Sequence, residues 1–137
     1  MAFNANPELV TQAVQALADS APPDWRIIVY YLEFLEDEQL GLRNKFTARA
    51  LGGENLDVRI DSYELGNSPR MFDLIKTVYQ DAIRDGERWK GVRLTVLWNG
   101  RFSLRFFYDQ APLLGGDRTE VLRIMSEGLD ELSSSPG

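Results

Sequence analysis

Cysteine and histidine are both absent from this sequence. Without cysteine there is no disulfide framework, no thiolate nucleophile and no thiolate metal site. That absence fits a reducing cytoplasm. Without histidine the commonest general base and the commonest metal ligand are missing. A serine or threonine then has no imidazole to activate it, which excludes the usual nucleophilic triads. Ser126 and the serines at 133–135 read as helix-surface and tail positions. No apolar run approaches the roughly eighteen residues of a membrane span. The opening Met-Ala-Phe-Asn-Ala-Asn-Pro lacks the basic-then-apolar order of a signal peptide. Gly52-Gly53 and Gly115-Gly116 are isolated pairs, without the glycine spacing or lysine of a phosphate cradle. Glu36-Asp37-Glu38 lacks the regular acid spacing and glycine of a calcium loop. No catalytic residue, metal or cofactor is expected.

What is present is a 137-residue chain of net charge −6. This length suits a single domain, 1–137, with a core that needs no staples. The charge is uneven. Residues 1–24 carry Glu8, Asp19 and Asp24 and no Lys or Arg, giving −3. Residues 117–137 carry five acids and two arginines, again −3, so the middle balances at zero. An acidic protein repels nucleic acid, so direct DNA or RNA binding is not expected. An acidic surface does favour a basic protein partner through steering. Solubility alone would also account for it.

The strongest local signal lies at residues 92–108. Two β-branched and aromatic runs flank Asn99-Gly100-Arg101, the pattern of a hairpin. Val92, Leu94, Val96 and Trp98 alternate on one run, and Phe102, Leu104, Phe106 and Tyr108 on the other. A three-residue loop over 99–101 puts both sets on one face and pairs Trp98 with Phe102 and Val96 with Leu104. A one-residue slip would bury the wrong face.

The remaining elements follow in order. Asn6-Pro7 starts a first helix over about 7–19, and Pro22-Pro23 ends it. The run from Trp25 to Phe34 is apolar on both faces, as in a central strand or one covered on both sides. A second strand runs from Asn44 to Ala50, with Phe46, Ala48 and Ala50 inward and Lys45, Thr47 and Arg49 outward. A third is expected at Leu56, Val58 and Ile60. Its acidic neighbours Asp57 and Asp61 would pair across strands with the basic row. Ser68-Pro69 caps a second helix, Met71 to Ile83, ended by Gly86. Asp117 and Glu120 have capping-box spacing before a last helix over about 117–132. The order α-β-β-β-α-β-β-α implies an α+β fold. Its five-stranded, mainly antiparallel sheet would be packed by helices on one face.

Two residues stand out against this scaffold. Glu33 is an acid in an otherwise apolar strand. Burial would raise its pKa, as a general acid requires. Exposure, or pairing with Arg49 or Arg105, would make it structural. No second carboxylate is spaced to share a reaction with it, so an enzyme is not expected. Phe107 falls on the hairpin's other face, among Arg93, Thr95, Arg101, Ser103 and Arg105. An aromatic among arginines on an open face suits a protein contact; a covered face is the alternative.

The pattern as a whole resembles a known family. It comprises a short helix, a proline, then Trp25 opening a strand with Tyr30-Tyr31 and Glu33. A helix with Phe72, Leu74 and Ile75 follows, then Trp89, Leu94-Thr95-Val96-Leu97, Gly100-Arg101-Phe102 and Phe106-Phe107-Tyr108-Asp109. These residues, within 23–109, look like those of the YezG-like immunity protein family. The segment 36–60 and the last helix lie outside the match. The resemblance implies a small cytoplasmic bacterial antitoxin. It would bind and neutralise a cognate toxin domain, commonly a nuclease of a polymorphic-toxin system used in bacterial competition. A nuclease presents a basic cleft, so an acidic inhibitor can occlude it and associate quickly. The partner-binding candidates are Glu36, Asp37, Glu38, Asp57, Asp61, Glu64 and Phe107. The alternative is a type III-type secretion chaperone, which has the same element order and holds an effector segment as a dimer.

Overall fold

A computed structural model describes residues 5–21, 25–39, 41–52, 62–64 and 66–133, with the backbone alone at 62–64, 132 and 133. Helix α1 (Pro7–Ser20) begins as its sequence dictates. The Asn6 side chain accepts from the Glu8 amide, and Pro7 occupies the first turn, where its missing N–H costs nothing. Helix α2 (Pro69–Arg84) repeats the arrangement, with Ser68 Oγ accepting from the Met71 amide at 3.1 Å.

Strand β1 (Trp25–Asp37) is central, between β2 (Gly41–Gly52) and β4 (Gly91–Leu97). Strand β5 (Phe102–Phe107) pairs with β4, and the three-residue β3 (Ser62–Glu64) adds to the far edge of β2. The sheet order is β3-β2-β1-β4-β5, antiparallel at every pair. Strand β2 starts three residues earlier than its apolar pattern suggests. The expected third strand at 56–60 lies outside the described residues. The expected element order is not matched, because a short helix α3 (Pro112–Gly115) precedes the last helix, α4 (Arg118–Ser133).

The even-numbered face of the sheet carries the main core. Ile28, Tyr30, Leu32 and Phe34 of β1 and Val92, Leu94 and Val96 of β4 pack with Ala13 and Leu17 of α1 and Met71, Ile75, Val78 and Ala82 of α2. Trp89 closes one end, its ring against Phe34, Tyr79 and Phe106. Placing all helices on one face proves wrong. Helices α3 and α4 cover the odd-numbered face, so β1 is apolar on both sides because both sides are roofed. The contact is close at Gly128. A Cβ there would lie 2.9 Å from Arg93 Cδ, 3.0 Å from Thr95 Oγ1 and 3.1 Å from Val29 Cγ1.

The β4–β5 hairpin has the expected face but another register. Val96 lies opposite Phe102 and Leu94 opposite Leu104, two positions from the expected pairing. The loop is Trp98-Asn99-Gly100, closed by Leu97 N–H to the Arg101 carbonyl at 2.8 Å. Gly100 has φ +89°, so it must be the last loop residue, where a three-residue loop turns left-handed. That requirement sets the register. It also moves Trp98 out of the core to the loop, where it is 61% exposed with the Arg26 guanidinium over its ring.

Candidate functional site

Glu33 is fully buried, and its partners are neither solvent nor an arginine. Its Oε2 accepts from the Tyr31 hydroxyl at 2.6 Å and from the Leu113 amide at 2.8 Å. Its Oε1 accepts from the Leu114 amide at 2.7 Å. Those amides are the first free donors of α3, because Pro112 has none. One carboxylate therefore caps a helix eighty residues downstream. Gly91, opposite Glu33 on β4, makes the geometry possible: a Cβ there would lie 2.7 Å from Tyr31 Oη. Burial, then the hydrogen bond to Glu33, pushes the Tyr31 hydroxyl well above the usual phenol range, so it stays a donor. With both oxygens occupied and no exposure, Glu33 is placed to hold α3 and not to meet a substrate.

Arg93 plays the corresponding part for α4. Its guanidinium is buried and donates to the Ile124 carbonyl at 2.8 Å and to Glu131 Oε2 at 2.7 Å. Glu127 lies 3.7 Å away, and the Phe107 ring stacks against the guanidinium. Ser103 donates to the other Glu131 oxygen at 2.6 Å. That hydrogen bond, with Arg93 beside it, holds the Glu131 carboxyl below the usual carboxylate range.

The partner-binding candidates divide between places. Glu36 and Glu38 are exposed at the β1–β2 turn, and Asp37 closes the turn by accepting from the Gln39 amide at 2.8 Å. Glu36 carries an exposed ion pair with Arg88 at 2.9 Å. Asp57 and Asp61 lie outside the described residues. The Glu64 backbone is opposite Arg49, eight residues along β2 from Gly41 and roughly 26 Å from the turn at about 3.3 Å per residue. The turn acids and Glu64 therefore belong to opposite ends of the sheet and not to one patch.

Phe107 is not on an open sheet face. It is half-buried, edge-on to Tyr31 and between the guanidinium groups of Arg93 and Arg105. It lines a cleft of about 300 Å³ with Arg105, Tyr108, Asp109, Glu120 and Arg123. Arg123 there is bound by Glu120 and Glu127. Its bond lowers the Glu120 carboxyl and raises the Arg123 guanidinium from their ordinary values.

Two features escaped the sequence reading. Trp98 and Phe102 are exposed together at the hairpin tip, a consequence of the register that Gly100 imposes. A second cleft, of about 310 Å³, lies between β2 and the start of α4, lined by Lys45, Thr47, Leu113, Arg118, Val121 and Leu122 among others. Its wall depends on α3, which no periodic pattern announces. Among the described residues, no group of three or more acids could hold a metal ion, and no helix is long and apolar enough to cross a membrane. The chain matches no protein-family model and no curated protein sequence.

Proposed function

We propose that this chain is an immunity protein, a cytoplasmic antitoxin that binds a cognate bacterial toxin domain, a nuclease, and occludes its site. The observation that carries the reading is the division of its charges. Among the described residues, Glu33 and Arg93 are fully buried in the sheet, where they hold α3 and α4. At the β1–β2 turn Glu36 and Glu38 are exposed, Glu36 in a surface ion pair with Arg88, and they present negative charge to a basic surface. This arrangement suits a rigid inhibitor better than an enzyme, and needs no cofactor. The aromatic pattern resembling the immunity family supports the same reading.

The contact is assigned to Glu36, Asp37 and Glu38, with Phe107 a support for Arg93 and not the contact. Exposed acids at an inhibitor's rim steer a basic partner and raise the association rate. The test is co-expression with a toxin-domain protein encoded by the adjacent gene. Growth rescue together with co-purification is expected. Failure of both, with the chain soluble and abundant, would contradict the reading.

A type III-type secretion chaperone, dimeric around an effector segment, is the second reading. It is favoured by the exposed Trp98 and Phe102, which could hold an apolar segment. A stable dimer by light scattering, with co-purification of a secreted effector, would favour it over the antitoxin.

A further inference from the structure

The geometry points to the cleft between β2 and the start of α4 as a binding site for a small aliphatic monocarboxylate. The cleft measures about 310 Å³, within the lower range of small-ligand pockets. Pro112, Leu113, Val121 and Leu122 supply apolar walls. Leu122 is 65% exposed at the rim. Facing these walls are two exposed cations from separate elements, Lys45 of β2 and Arg118 of α4. Neither forms an ion pair among the described residues.

Charge selects the ligand. The chain is acidic overall, yet this cleft holds two cations against one acid, Asp117. The Asp117 carboxylate is engaged, accepting from the Glu120 amide at 3.1 Å. The net positive charge favours an anion, and the apolar walls disfavour a fully hydrated one such as inorganic phosphate. The Arg118 fork suits the two oxygens of a carboxylate, and the Lys45 ammonium adds a point charge. The leucine and valine walls require that the anion carry an apolar body. The fold positions the site through Glu33, which fixes the Leu113 backbone. This site is separate from the acidic turn, and it stands whether or not that turn binds a toxin.

Octanoate is the probe, with octylamine and inorganic phosphate beside it, read by amide chemical shifts of the full chain. Octanoate is expected to move Thr47, Leu113 and Val121 saturably at concentrations up to about 5 mM, while the other two leave them unmoved. The double variant K45A/R118A changes only exposed side chains and should weaken octanoate about tenfold, the loss of one or two charge-assisted hydrogen bonds. Leu122→Asp should weaken it as well while leaving the spectrum folded. Absence of saturable shifts at the cleft, equal binding by octylamine or phosphate, or undiminished affinity in K45A/R118A would each overturn the assignment.

Discussion

Replacing Glu33 by glutamine keeps the size of the side chain but turns one acceptor into a donor. Either the Leu113 or the Leu114 amide then faces an NH2 group in a dry interior. An unsatisfied buried donor costs about 1–3 kcal/mol, so E33Q should lower unfolding stability by about 2 kcal/mol in a urea titration. Loss of that magnitude marks a cap; an unchanged midpoint would show that the carboxylate is not holding α3. Gly128→Ala is a second residue-scale case, because two effects oppose. Helix propensity alone would favour alanine by about 1 kcal/mol. The added Cβ, however, meets Arg93 Cδ at 2.9 Å and two β-branched strand residues near 3 Å. Overpacking of that kind costs about 1–3 kcal/mol, so G128A should be the less stable protein. A more stable G128A would mean that α4 does not sit this close to the sheet. That Glu33 was unusual could be read directly from an acid inside an apolar strand. Its role could not, because its partners are backbone amides of a four-residue helix eighty positions away. Backbone donors leave no trace in side-chain spacing.

Among the elements, α1 and α2 were legible to within a residue or two, because caps, prolines and apolar stripes all agree at their ends. Strand β1 was legible as central, since it is apolar on both faces. The hairpin was legible as a hairpin but not in register. Burial alone cannot separate two pairings that keep the same residues on the same face; the left-handed Gly100 does. Helix α4 was found, but its face was not. Its stripe is narrow, with Ile124 buried and Leu122 exposed, and its docking rests on Arg93 and Glu131. That docking carries a pH signature. The folded Glu131 carboxyl titrates below its ordinary value of 4.5. Its contribution is therefore complete above that value and is lost as pH falls through the lowered one. Wild type should lose stability on acidification below that range more steeply than Glu131→Gln, which lacks the titrating group. Parallel stability curves for the two proteins would place the acid loss elsewhere.

For the whole molecule, charge is sorted by depth. Buried Glu33 and Arg93 bind helices to a sheet covered on both faces, and Glu36, Asp37 and Glu38 bring three acids together at one turn. The clustering of acids was legible as composition, but their distribution was not. Glu36, Asp37 and Glu38 share a turn, whereas Glu64 belongs to the opposite end of the sheet. Only the fold separates them, because strand pairing turns sequence distance into position along β2. The central claim, that the β1–β2 turn is the surface that recognises a basic toxin domain, is tested by association kinetics of E36K/D37K/E38K against wild type across a salt series. The partner is the toxin domain encoded by the adjacent gene. Reversing three charges should slow association at low salt by about tenfold or more and flatten its salt dependence, with dissociation changing less. An unchanged association rate and salt slope, with protection equal to wild type at matched expression, would contradict it.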